Sequence, residues 1–143
     1  MSNDFLEITL KSIDNKVKYS GVSRSNPELT VDYFPPYGTG DGYTSLELLL
    51  VSFASCVSST LSIILRGQMQ RKITSLSAKA KGHVKEEHPK ALSKIELELV
   101  IESEDAQETD VEKTLVALEN KLCPVWSMIK GNVDIEIKFS ITK

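Results

Sequence analysis

One segment constrains this chain more than any other. From Leu46 to Leu65 the sequence is apolar and long enough to raise the question of a membrane span. It also carries Glu47 and a polar set of Ser52, Ser55, Ser58, Ser59, Thr60 and Ser62. A helix buried in a soluble core is therefore the better reading, with no membrane involved. Thr44 or Ser45 suits its N-cap, and Gly67 suits its stop. Ser52, Ser55, Ser59 and Ser62 recur at spacings of three and four, so they line one stripe of the helix. Side chains that small let another backbone come close. Leu49, Phe53, Val57 and Ile64 cover the rest of the circumference. A helix apolar nearly all round has to be surrounded, and 143 residues offer limited material for that. The expectation is a core helix wrapped by sheet, or one completed by a second copy of the chain.

The flanks of this segment read as strands. Residues 5–10 and 16–23 alternate apolar and polar around a turn-like Ile13-Asp14-Asn15, and Leu29 to Tyr33 continues the pattern. Pro35 to Gly42 is a loop that no strand or helix would tolerate. With Tyr33, Phe34, Tyr37 and Tyr43 around it, this loop is expected to form one wall of an apolar pocket. Further on, residues 73–86 alternate loosely, while Ile95, Leu97, Leu99 and Ile101 alternate strictly with Glu96, Glu98, Val100 and Glu102. Thr109 and Glu112 form the T-x-x-E pattern of a capping box. The helix they would open has an apolar face of Val111, Leu115, Leu118 and Leu122. A short helical turn after Cys123-Pro124 runs to Gly131, and residues 133–141 form a closing strand. Strands cluster and helices intervene, so an α+β fold is expected in place of a doubly wound one. The length fits a single domain over residues 1–143.

Composition removes several function classes. Seventeen basic against twenty acidic side chains give a net charge of −3, and the basic footprint of a nucleic-acid binder is missing. The acidic run Glu102, Glu104, Asp105, Glu108, Asp110 and Glu112 lacks the order of a calcium loop and reads as a solvated loop and helix entry. His83 and His88 are an odd number of residues apart, which sends them to opposite faces of a strand without a third ligand. Gly38, Gly40 and Gly42 match no dinucleotide or phosphate-binding fingerprint. No metal and no cofactor are expected. The opening Met-Ser-Asn-Asp is unlike a secretory leader, so a cytoplasmic location is expected.

Two thiols remain. Cys56 lies mid-helix, where a free cysteine packs as a small hydrophobe and needs a nearby cation or hydrogen-bond donor to be reactive. Cys123 precedes Pro124, a residue suited to the first helical position, which makes it a candidate N-cap. Free backbone N–H groups there stabilise a thiolate, so Cys123 taken alone is the better candidate for a low pKa. The alternative is a cysteine that serves only as a cap.

Thr44-Ser45-Leu46-Glu47-Leu48-Leu49-Leu50, running on to Cys56, resembles the central-helix motif of the OsmC/Ohr family, P-x-E-L-L-L followed by a cysteine. Leu122-Cys123-Pro124-Val125 resembles that family's C-P-V motif. The resemblance covers essentially the whole chain. It implies an OsmC-like fold in which antiparallel sheets wrap the long central helices of an intertwined homodimer, with active sites at the subunit interface. It further implies that Cys56 attacks an organic hydroperoxide and becomes a sulfenic acid, which Cys123 resolves to a disulfide. A dithiol reductant of the lipoyl type would restore the pair, and Glu47 would be an orienting or hydrogen-bonding group. Peroxidase members carry glutamate ten residues before the reactive cysteine, where this chain has Leu46. They also carry an arginine in the segment matching Asp32–Gly40, and here none occurs between Arg24 and Arg66. Those departures imply the alternative of a module that binds a small apolar or thiol-reactive ligand at the dimer interface without turnover.

Overall fold

The computed structural model describes residues 5–143. The chain divides into two compact units, one ending at Leu48 and the other running from Leu49 to Lys143.

The first unit holds a three-stranded antiparallel sheet in the order β1 (Thr9–Ser12), β2 (Tyr19–Val22), β3 (Leu29–Val31). The expected turn is where the pattern placed it. The Asp14 carboxylate accepts from the Lys16 and Lys18 amides at 2.9 and 3.1 Å, closing the hairpin beside the Ser12–Tyr19 pair. Pairing runs outward from that turn until β2 ends at Val22 opposite Thr9. This shifts β1 toward the turn from the expected residues 5–10.

Helix α1 (Ser45–Arg66) spans the apolar segment almost as expected and crosses the division between the units. It is long and apolar enough to cross a membrane by length and composition, yet only 22% of its apolar window is buried within the chain. Phe53, Val57, Leu61, Ile64 and Leu65 point into the core of the second unit. Ser52, Ser55 and Ser59 are exposed, together with Val51 and Ile63.

A second three-stranded sheet has the order β4 (Ile73–Val84), β5 (Leu92–Ser103), β6 (Asp134–Thr142). The strict alternation in β5 holds: Ile95, Leu97, Leu99 and Ile101 are fully buried or nearly so, and the glutamates between them face outward. Burying each such side chain contributes roughly 1.5–3 kcal/mol. The pairing departs from the expectation of antiparallel sheets. β4 and β5 are antiparallel, but β6 runs parallel to β5. Residues 104–133 supply the crossover that a parallel pair requires, carrying α2 (Glu108–Ala117) and α3 (Pro124–Ile129).

The N-terminus of α2 is also displaced from Thr109. The Ser103 hydroxyl accepts from the Asp105 and Ala106 amides and turns the chain early. Gln107 is then the cap, and its amide donates to the Asp110 carboxylate at 2.9 Å. Asp110 in turn pairs with Arg71 at 2.8 Å.

Candidate redox site

Helix α1 is started by Thr44, with Glu47 as its reciprocal partner. The Thr44 amide donates to the Glu47 carboxylate at 2.8 Å, and the Glu47 amide donates to the Thr44 hydroxyl at 3.2 Å. This is a complete capping box, and the negative charge sits favourably in the first turn. Glu47 is thus engaged with the backbone of its own helix.

Cys56 lies in the middle of α1 and is partly exposed. Cys123 is buried and caps α3, with Pro124 in the first helical position and the Trp126 amide donating to the Cys123 sulfur at 3.5 Å. The two sulfurs are 2.9 Å apart, both as free thiols. That separation is longer than the roughly 2.05 Å of a disulfide bond. The pair joins residues 67 positions apart in the sequence.

The helix start does not lower the Cys123 pKa as its position alone led us to expect. Burial pushes the thiol up to about 11, and the contact with Cys56 pushes the same way. The amides of Trp126 and Val125 oppose the shift but are outweighed. A mostly desolvated sulfur loses more by leaving water than two N–H groups return. In the contact between the two thiols, the Cys123 S–H donates and the Cys56 sulfur accepts.

The segment that delivers Cys123 was missed in the sequence. After Ala117 the helix widens into a π-helical turn over Leu118–Leu122. Leu118 is fully buried, but Leu122, expected on the same inward face, is 45% exposed. The extra residue in the turn moves Leu122 outward and Cys123 inward. Only the apolar spacing running up to a Cys-Pro step marks the place, and that spacing points to the wrong residue.

The two arginines at and just beyond the end of α1 are engaged away from the thiols. Arg66 donates to the Ile73 carbonyl at 2.9 Å, and Arg71 pairs with Asp110. Among the described residues no group of three or more His, Cys, Asp or Glu side chains is placed to hold a metal. His83 instead meets the Glu96 carboxylate at 2.5 Å.

In the first unit, the Pro35–Gly42 loop is folded around a buried carboxylate that sequence reading did not single out. Asp32 accepts from the amides of Tyr33, Thr39 and Asp41 and from the Thr39 hydroxyl at 2.6–3.2 Å. A side chain at Gly38 would collide with Asp32 and the Tyr33 carbonyl. The loop so held displays Tyr33 in contact with both Phe34 and Tyr37, at ring-centroid distances of 5.5 and 6.3 Å.

Residues 38–138 match the family model described as OsmC-like protein. The chain belongs to the OsmC-like family. A comparison with curated proteins finds no match. Among solved structures, a hypothetical protein from Aquifex aeolicus VF5 superposes with a TM-score of 0.84 at 24% identity, covering 97% of each chain. An OsmC like protein from Mycoplasma pneumoniae gives 0.81 at 20% identity, over 99% of this chain and 100% of that one. The organic hydroperoxide resistance protein OhrB of Bacillus subtilis gives 0.66 at 14% identity, over 97% and 100%. These likenesses show the α+β OsmC fold.

Proposed function

We propose that this chain is a thiol-dependent reductase of organic hydroperoxides, acting as one OsmC-like domain in a cytoplasmic homodimer. The observation that carries the reading is the 2.9 Å approach of the Cys56 and Cys123 sulfurs. The name of OhrB, a hydroperoxide resistance protein of the same fold, supports it. Cys56 is the more exposed sulfur and the acceptor of the pair, which suits it for attack.

The Cys56 sulfur takes the terminal oxygen of the hydroperoxide. The O–O bond breaks, an alcohol leaves, and Cys56 becomes a sulfenic acid. Cys123 then displaces that hydroxyl, which departs as water with the Cys123 proton, and a disulfide forms. A dithiol of the lipoyl type reduces the disulfide by exchange and is itself oxidised. Glu47 acts in this scheme as a positioning residue, through the start of the helix that holds Cys56. A second copy of the chain would cover the exposed apolar and serine-lined side of α1.

Steady-state turnover of cumene or tert-butyl hydroperoxide with a dithiol donor tests the reading. Cys56→Ser should abolish it, whereas full turnover by that variant would sink the proposal.

The engagement of Glu47 in its cap and of Arg66 with the Ile73 carbonyl favours a second reading, a module that binds a small apolar or thiol-reactive ligand without turnover. Sustained peroxide consumption by the unaltered protein would exclude it.

A further inference from the structure

At Leu118–Leu122 the sequence pattern and the fold disagree. Val111, Leu115, Leu118 and Leu122 recur at the spacing of one α-helical face. Yet Leu122 is 45% exposed while Cys123, one residue on, is 1% exposed. The Cys123 amide donates to the Leu118 carbonyl at 3.1 Å, five residues back where an α-helix would bond four back. In an α-helix, residue 122 would stand about 40° from Leu118 around the axis and residue 123 about 140°. The wider turn takes up one residue, and Cys123 receives the inward place that Leu122 would otherwise fill. Pro124 has no amide hydrogen and ends the helix in either register. Both contenders for the inward place, a leucine and a thiol, are acceptable core side chains. A conflict between local pattern and fold is characteristic of functional positions, and π-turns concentrate there.

We propose that Leu118–Leu122 is a two-register device that presents or withdraws the second thiol. In the π register Cys123 faces Cys56. In the α register Leu122 turns inward and Cys123 turns out toward solvent, away from its partner. The consequence for catalysis rests on the reading of Cys123 as the resolving thiol. In the α register a sulfenic acid on Cys56 has no partner within the chain and stays open to an outside thiol.

The test labels the reduced, full-length protein with N-ethylmaleimide under native conditions and reads Cys123 by peptide mass spectrometry. Deleting Asn120 leaves a turn of ordinary α length in which Cys123 takes the inward place and no second register exists. Leu122→Asp leaves the π register intact, because residue 122 is half exposed there, but forbids the α register by burying a carboxylate. Both variants should slow Cys123 labelling by about tenfold or more, since each removes the local opening that exposes the sulfur. Labelling of both variants at the unaltered rate would overturn the proposal, as would labelling of the parent chain only as fast as it unfolds globally. If the deletion variant fails to fold, Leu122→Asp decides alone. Hydroperoxide turnover is read separately, so its absence would fail the peroxidase reading without altering the labelling result.

Discussion

The rings of Phe53 and Trp126 meet edge to face, with centroids 5.7 Å apart and planes at 87°. Each ring lies three residues from a cysteine, Phe53 before Cys56 and Trp126 after Cys123. The two chain segments that bring the sulfurs together are thus pinned side by side by an aromatic contact of the favoured geometry.

Trp126→Ala removes both that contact and a buried ring, and should cost about 3–5 kcal/mol in a urea melt. Disulfide formation by the variant should slow, because the α3 cap is no longer clamped against α1. Trp126→Phe should recover part of both effects. An unchanged rate of disulfide formation in Trp126→Ala would show that the clamp does not position the sulfurs.

The raised Cys123 pKa makes stability sensitive to alkali. A thiol whose folded pKa lies above its unfolded value of 9.0 favours the folded state at neutral pH, and that contribution disappears as pH rises toward about 11. The melting temperature of the reduced protein should therefore fall across that window. Thiolate absorbance from Cys123 should appear only at its upper end. Full ionisation of both thiols below pH 9 would contradict the burial argument.

Glu47 separates a structural from a chemical role. Glu47→Ala loses half of the capping box and should cost about 1 kcal/mol. Glu47→Gln keeps a side-chain acceptor for the Thr44 amide and should cost less. If Glu47 acts through the helix start, turnover by Glu47→Gln should match the parent enzyme at the same folded fraction. A loss of kcat in a fully folded Glu47→Gln would place the carboxylate in the chemistry.

Asp32 ties the loop conformation to acid. The Thr39 hydroxyl and three backbone amides hold its carboxyl well below the usual carboxylate range, against the opposing effect of burial. Its stabilisation is present above the unfolded pKa of about 3.9 and is lost as pH falls toward the lower folded value. Asp32→Asn should melt at lower temperature at neutral pH and lose less on acidification than the parent chain. Parallel melting curves of the two proteins from pH 7 to pH 2 would count against this role.

The parts that local pattern could reveal were legible. The α1 boundaries follow from an apolar run closed by Thr44 and Gly67, and the inward face of β5 follows from strict alternation. The motif pair brought Cys56 and Cys123 into one candidate site before any distance was known. What escaped depends on relations across the sequence. The parallel pairing of β6 is set by a crossover of some thirty residues, and a strand's own pattern does not record its partner's direction. The π-turn escaped because one added residue changes which side chain faces inward without altering composition. Asp32 escaped because its donors lie up to nine residues away in a loop whose course only the fold defines.

The parallel pairing also orders events during synthesis. The β4–β5 hairpin is complete at Ser103, long before β6 emerges, so one edge of β5 waits for its partner while residues 104–133 are made. An open strand edge is an invitation to neighbouring nascent chains. Glu96 and Glu98 of β5 stand opposite Lys81 and Lys79 of β4, so the waiting edge has little like charge to repel a neighbour, and the arrival of β6 is what closes it.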